Sequence, residues 1–242
     1  MQAVILAGGR GTRLKPLTNV LPKPLMPLGN ISILEIVLRQ LKSAGFLKII
    51  IAVGYLHHII RSVFEDGKRL GLSIEYSLEE QPLGTAGPLS LIMDKLDQNF
   101  LVMNGDVLTN RDFRSMFDFH LIQKSDATIS IKRREVNIDF GVIEIDETNE
   151  FLKYTEKPKY FFDVSMGINI FNKDAVGDII QKNTPIDIPD LITSLKGNNK
   201  KITCFSEPCE WLDIGRMDDY EEAVELFENN KKTYLKETSW IF

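Results

Sequence analysis

The sequence predicts an α/β fold: a mostly parallel sheet flanked by helices, with an antiparallel insertion. Three observations lead there. Short apolar runs alternate with helical periodicities through the first half of the chain. Glycine closes two of the helical patterns, at Gly45 and Gly71. Beyond Asp106 the pattern changes, and after one helix strand-like runs follow one another between residues 127 and 171.

Taken in order, Val4–Ala7 is an apolar run that stops at glycines and reads as a buried strand. Ile31–Ala44 sets Ile33, Leu34, Val37, Leu38 and Leu41 on one helical face. Ile49–Val53 is a second buried strand, His57–Leu70 a second helix, and Leu72–Tyr76 a further strand. A helix is expected over Ala86–Leu96, and Phe100–Met103 is the third fully apolar strand. Phe113–Gln123 is helical. Ala127–Lys132, Phe140–Ile145, Phe151–Tyr154 and Ser165–Phe171 read as the antiparallel strands, and Asp146–Asn149 has the residues of a hairpin turn. Helices over Lys173–Gln181 and Leu191–Lys196, a strand over Ile202–Phe205 and a helix over Met217–Asn230 complete the pattern. No Pro/Gly/Ser linker and no repeat divides the chain. One domain over residues 1–230 is expected, with a tail over 231–242 that finishes Trp240-Ile241-Phe242.

Composition limits the function. The chain has 242 residues, 43% of them hydrophobic and 26% charged, so a sizeable core needs no disulfide or structural metal. Twenty-nine basic against 34 acidic residues give a net charge of −5, which disfavours a nucleic-acid binder. No apolar run is long enough for a membrane span, and the first residues read as a strand rather than a signal peptide. Cys204 and Cys209 have neither redox nor zinc spacing. A reduced, cytoplasmic setting is expected.

The chemistry concentrates after the first strand, in Leu6-Ala7-Gly8-Gly9-Arg10-Gly11-Thr12-Arg13. A lone Gly-Gly would be only a tight turn. Here the glycines let backbone N–H groups approach a phosphate or a base, and Arg13 can fork onto phosphate oxygens. There is no Gly-Lys-Ser/Thr of a Walker A loop. The third glycine of the dinucleotide fingerprint is missing, and prolines at 16, 22, 24 and 27 prevent its immediate helix. Lys23 follows in Pro22-Lys23-Pro24, where flanking prolines lower the entropy lost in presenting it. Taken alone it would be a solvated loop lysine.

Gly8-Gly-x-Gly-Thr-Arg13 followed by Pro22-Lys23-Pro24 resembles the N-terminal signature of sugar-1-phosphate nucleotidylyltransferases. The resemblance continues in order through Glu80-Gln-Pro-Leu-Gly84-Thr85-Ala-Gly87, Asn104-Gly105-Asp106, Phe140-Gly141-Val, Glu156-Lys157-Pro158 and Trp211-Leu-Asp213-Ile-Gly215. It implies a Rossmann-like sheet of glycosyltransferase-A type. It also implies a reaction in which a nucleoside triphosphate and a sugar 1-phosphate give a nucleoside-diphosphate sugar and pyrophosphate. The attacking phosphate, with a second pKa near ~6, is already ionised at neutral pH, so no general base is required. His57, His58 and His120 all lie outside these motifs.

By the same resemblance, Arg13, Lys23 and Asp106 are catalytic, with Asp106 and Asp213 as ligands of Mg2+. Either aspartate alone would pass for a turn or a helix cap. Leu6, Ala7, Gly8, Gly9, Gly11, Thr12, Gln81, Gly84 and Thr85 fall to the nucleotide, although Thr85 would also serve as the N-cap of the helix after it. Gly141, Glu156, Lys157 and Asn169 fall to the sugar phosphate. Around Gly84 the wording is closest to mannose-1-phosphate guanylyltransferases, so GTP is favoured over CTP, UTP or dTTP. Ser165–Phe171 and Trp211–Arg216 look more like enzymes of heptose or amino-sugar phosphates. A homo-oligomer stays open, and no nucleic-acid or membrane partner is implied. A glycosyltransferase on the same sheet would usually carry Asp-x-Asp, which is missing here. An idle regulatory subunit would have no need of Arg13, Lys23, Asp106 and Asp213 together.

Overall fold

The computed structural model describes residues 1–235, so the Trp240-Ile241-Phe242 ending lies outside the described residues. In chain order the elements are β1 Gln2–Ala7, β2 Pro27–Leu28, β3 Ile31–Ser32, α1 Ile33–Ser43, β4 Lys48–Val53, α2 His57–Phe64 and β5 Ser73–Leu78. There follow β6 Asn99–Asn104, β7 Val107–Thr109, α3 Phe113–Gln123, β8 Ala127–Asn137, β9 Val142–Ile145, β10 Phe151–Thr155 and β11 Lys159–Asn172. The chain continues with α4 Lys173–Gly177, α5 Ile188–Gly197, β12 Ile202–Phe205, β13 Trp211–Asp213, α6 Met217–Asn229 and α7 Lys231–Tyr234.

The main sheet runs β12-β8-β11-β6-β1-β4-β5. Strands β6, β1, β4 and β5 are mutually parallel; β11 is antiparallel to both β6 and β8. This is the expected mixed sheet. Alternation along each strand supplies two cores. Ala3, Ile5, Ile49 and Ile51 face the layer that includes α1, while Val4, Ile50, Phe100 and Val102 face α4 and α5. A third cluster joins Leu14 and Met26 beneath the N-terminal loop to Ile214, Phe227 and Tyr234, so the far end of the chain packs under that loop. The chain leaves β1 toward β4 on one side and returns to β6 on the other. Strand order therefore reverses at β1, which is where open α/β sheets form their crevice. No helix among the described residues is long and apolar enough to cross a membrane.

Several boundaries differ from expectation for physical reasons. The helix expected over Ala86–Leu96 is two 3-10 turns, Gly87–Leu91 and Met93–Lys95. Its buried residues Ala86, Leu89 and Ile92 recur every third position, the period at which side chains eclipse in a 3-10 turn. The helix expected to reach Leu70 stops at Phe64, because Glu65 and Gly67 take positive φ. Helix α4 ends at Gly177 rather than Gln181. Strand β9 begins at Val142, whereas β8 and β11 extend well past the apolar runs that announced them.

Candidate active site

The loop after β1 is held by its own small residues. Gly11 takes a left-handed conformation, and its carbonyl accepts from Leu14 N at 2.9 Å and Thr18 Oγ1 at 2.8 Å. A Cβ on Gly11 would come within 2.9 Å of Thr18 and 3.2 Å of Lys23, so the loop closes only around glycine. Lys23 is thereby carried inward, to 9% exposure, in the short turn Lys23–Leu25. Its ammonium pairs with Asp106 Oδ2.

Asp106 sits in the turn between β6 and β7, and Gly105 N donates to Leu6 O at 2.9 Å at the end of the neighbouring strand β1. Asp213, distant in sequence, arrives because β13 pairs antiparallel with β7 and places Asp213 opposite Val107. Ile214 N donates to Asp106 O at 3.4 Å. Burial and then the Asp106 charge push the Asp213 carboxyl above the usual range; Lys23 and Arg13 pull the other way. The Arg13 guanidinium lies 3.4 Å from where a Gly215 Cβ would stand. Arg13, Lys23, Asp106 and Asp213 thus share one electrostatic neighbourhood.

Two cavities adjoin there. The larger, about 820 Å³, is lined by Leu6, Gly8 and Gly9 from β1 and its loop, by Glu79, Gln81, Gly84 and Thr85 after β5, and by Asn104 and Asp106 after β6. The smaller, about 290 Å³, is lined by Ser165, Met166, Gly167 and Asn169 of β11 with Trp211 and Asp213 of β13. Leu6, Thr85 and Asn104 border both. Two buried acceptors in this region have no hydrogen-bond partner: Asp106 Oδ1 and Asn169 Oδ1, the latter on a residue only 2% exposed. Such atoms call for a donor or a cation. Asp106 and Asp213 together suit a hard divalent ion whose remaining ligands are phosphate and water oxygens. No cluster of three or more potential metal-ligating side chains occurs among the described residues, so an ion here would depend on substrate oxygens.

Thr85 does not cap a helix of its own. Its N–H and hydroxyl both reach Asp187 Oδ1, at 2.8 and 3.0 Å, and its Oγ1 accepts from Ile188 N at the start of α5. Gly84, with φ 77°, has no room for a Cβ, which would meet Ile186 O at 2.7 Å. Ala7 is buried beneath the loop, and Thr12 is exposed on it. Gly141, Glu156 and Lys157 lie on the antiparallel insertion and line neither cavity; Glu156 accepts from Tyr154 Oη at 3.0 Å.

Sequence reasoning missed Glu79. Its carboxylate packs so closely on the backbone that a Cβ on Gly8 would be 2.2 Å from Oε1. Oε2 accepts from Leu83 N at 3.2 Å, and burial pushes the carboxyl above the usual range despite that bond. A signal was present: a carboxylate immediately after a parallel strand, at the sheet edge where ligands bind. Arg10, stacked 5.8 Å from the Tyr55 ring, lines the same cavity and was not singled out either.

Residues 2–230 match the nucleotidyl transferase family. A probable mannose-1-phosphate guanylyltransferase of Oryza sativa subsp. japonica is 34% identical over 94% of this chain and 64% of its own length. A UTP–glucose-1-phosphate uridylyltransferase of Synechocystis is 32% identical over 93% of this chain and 62% of its own. The chain therefore spans less than two thirds of the length of these relatives. The crystal structure of a putative glucose-1-phosphate thymidylyltransferase from Bacillus anthracis superposes with a TM-score of 0.76, covering 100% of this chain and 98% of that one, at 22% identity. At that identity the likeness concerns the fold.

Proposed function

The chain belongs to the nucleotidyl transferase family, and from that premise we propose that it joins a nucleoside monophosphate to a sugar 1-phosphate, with GTP as preferred donor. One observation carries the reading. Asp106 lines the larger cavity and Asp213 the adjoining smaller one, while Lys23 and Arg13 line neither but act on these carboxylates from beside them, so two anionic substrates would approach each other next to a cluster of fixed charges. An oxygen of the sugar phosphate attacks the α-phosphorus, and the bond to the β-phosphate oxygen breaks. Pyrophosphate leaves with that electron pair. The nucleophile arrives ionised, so the protein's work is to hold both phosphates in line and offset their charge. Lys23 and Arg13 supply fixed positive charge; Asp106 and Asp213 would hold Mg2+, which offsets further charge on the phosphates when bound.

Glu79 favours guanine over the other bases. Guanine presents adjacent N–H donors, N1–H and the N2 amino group, which one carboxylate accepts together. Uracil and thymine set carbonyl oxygens on either side of their single N–H, and adenine and cytosine pair one donor group with an acceptor; a carboxylate meets repulsion from each. The test is pyrophosphate release across four triphosphates and a panel of sugar 1-phosphates. GTP should give the highest kcat/KM. No release with any pair would overturn the reaction, and equal or better kcat/KM with CTP or UTP would overturn the base.

A further inference from the structure

Behind the smaller cavity lies a buried positive charge that no step of the proposed reaction uses. Arg111 follows β7 and is 3% exposed. Its Nη1 donates to Glu207 O, and its Nη2 donates to Ile131 O and to Met166 Sδ, both at 3.1 Å. The guanidinium carbon lies 5.2 Å from the centroid of the Phe205 ring. No carboxylate is among these partners, and Nε has none at all. Burial holds the group below the ordinary arginine pKa, with Cys209 and Glu207 opposing. A desolvated cation without an acid beside it is costly, and an apolar side chain of similar volume would fill the same space without that cost.

Arg111 joins the two walls of the smaller cavity. One wall is the irregular stretch of β11. Ser165 stands opposite Ile131 of β8 and Asn169 opposite Ile129, so β11 carries more residues over this interval than its partner. Gly167 makes the turn at φ 70°, and a Cβ there would be 2.7 Å from Asn104 Nδ2. Bulges of this kind re-aim side chains beside functional sites, and Ser165, Met166, Gly167 and Asn169 all line the cavity. The Met166 thioether accepts from two donors, Arg111 Nη2 and Ser130 Oγ, each at 3.1 Å. The other wall is Trp211 and Asp213. It hangs on the connection from β12, where Glu207 O accepts from Arg111 and Glu210 O accepts from Thr109 Oγ1 at 2.6 Å. Trp211 Nε1 links the walls directly by donating to Met166 O at 3.0 Å.

We propose that Arg111 is a positioning residue for the sugar-1-phosphate pocket: its fork sets the separation of the β11 bulge from the β12–β13 connection, and so the width of the cavity between Asn169 and Trp211. This rests on the reading above in which that cavity receives the sugar 1-phosphate. A guanidinium presents five N–H donors in one rigid plane, so it serves a carbonyl on one side and a carbonyl with a thioether on the other. A lysine ammonium is a single point of charge, from which these acceptors cannot be met together. The nucleotide side stays untouched, since none of the partners of Arg111 lines the larger cavity.

Arg111→Lys and Met166→Leu, alone and combined, test the assignment. Each single variant should raise the sugar-1-phosphate KM about tenfold, the lower end of what losing a supporting contact behind a binding group costs. The triphosphate KM should hold, a split that a general loosening of the fold would not produce. The combined variant should be little worse than Arg111→Lys alone, because both changes act through one contact. A wild-type sugar-phosphate KM in Arg111→Lys, equal rises in both KM values, or single effects that multiply in the combination would each overturn the proposal. Should Arg111→Lys fail to fold, Met166→Leu keeps the guanidinium and nearly the same volume, and carries the same KM expectation.

Trp211 adds a readout that needs no turnover. In a Trp240→Phe background it is the one indole left in the chain. Arg111→Lys should then shift its fluorescence emission to the red, as the walls part and water reaches the ring; an unshifted emission overturns the proposal. If the wild type releases no pyrophosphate with any sugar 1-phosphate, the reaction falls, while the emission still decides the role of Arg111.

Discussion

Glu79 and Asp213 carry the sharpest expectations of any single residues. Glu79→Gln retains an oxygen to accept from Leu83 N but replaces the carboxylate proposed to meet the base with an amide that donates on one side. Hydrogen bonds to charged groups contribute ~1.5–3 kcal/mol, so the ratio of kcat/KM for GTP over UTP should fall at least about tenfold. Steady-state kinetics with both triphosphates measures it, and an unchanged ratio would remove Glu79 from base selection. For Asp213→Asn, turnover should fall at least ~100-fold, the scale of one lost electrostatic stabiliser, and excess chelator should abolish wild-type turnover. Full activity in chelator would dismiss the metal. Asp106, Lys23 and Arg13 were legible from ordered motifs because each motif combines a charge with backbone-shaping glycine or proline. Glu79 was not legible, because its neighbour Glu80 carries the motif resemblance and only three-dimensional packing against Gly8 tells the two apart. Asn169 follows from the resemblance alone; its unpartnered Oδ1, on a residue lining the smaller cavity, is a property no sequence pattern displays.

At the scale of elements, the buried parallel strands β1, β4 and β6 could be read directly, since strands covered on both faces are continuous apolar runs. Helix α3 has the limits its pattern predicts, and the structure adds the reason: Asp112 accepts from Arg114 N and Ser115 N at its N-terminus. The short pair β7–β13 was invisible, being three residues each and stabilised by partners about a hundred positions apart. Yet that pair brings Asp213 to Asp106. The outer part of β8 does not show in the sequence because Lys132, Arg133, Arg134 and Glu135 interrupt its apolar pattern, and in β11 Asp163 separates Tyr160–Phe162 from the apolar run beyond it. The insertion provides a test of which half of the site binds which substrate. Glu156→Gln keeps the shape but removes a charge, and charge-assisted bonds are roughly twice as strong as neutral ones. The sugar-1-phosphate KM should rise and discrimination between epimers should relax, while the triphosphate KM stays put. Impairment mainly in triphosphate binding would reverse the two halves.

Across the whole molecule, the far edge of the sheet is tied together by a buried polar chain that catalysis does not use. His120 on α3 is 1% exposed; Nε2 is 3.1 Å from Asn99 Oδ1 of β6, and Nδ1 is 2.8 Å from Thr128 Oγ1 of β8. An amide oxygen only accepts, so Nε2 carries the proton and Nδ1 accepts from the Thr128 hydroxyl. Thr203 of β12 extends the chain 3.0 Å further, through Thr128. A neutral ring satisfies both contacts; a protonated ring would have to donate from Nδ1 as well. Burial holds the imidazole down at about 4, against 6.5 for an unperturbed histidine, with the Asp126 charge opposing. Between those two values the unfolded chain binds a proton that the native chain does not. This contribution to stability is therefore complete above the unfolded value and declines as pH falls toward the folded one, by at most about 1.4 kcal/mol per pH unit. Urea unfolding of wild type and His120→Gln between pH 7 and pH 4 separates this from the carboxylates, which titrate alike in both proteins. The variant should be less stable at pH 7, by about 1–3 kcal/mol for a disrupted buried network. Its stability should also fall less steeply on acidification, so that the two curves converge toward low pH. Parallel curves would mean that His120 titrates normally in the native state and that the sheet edge is held by packing alone.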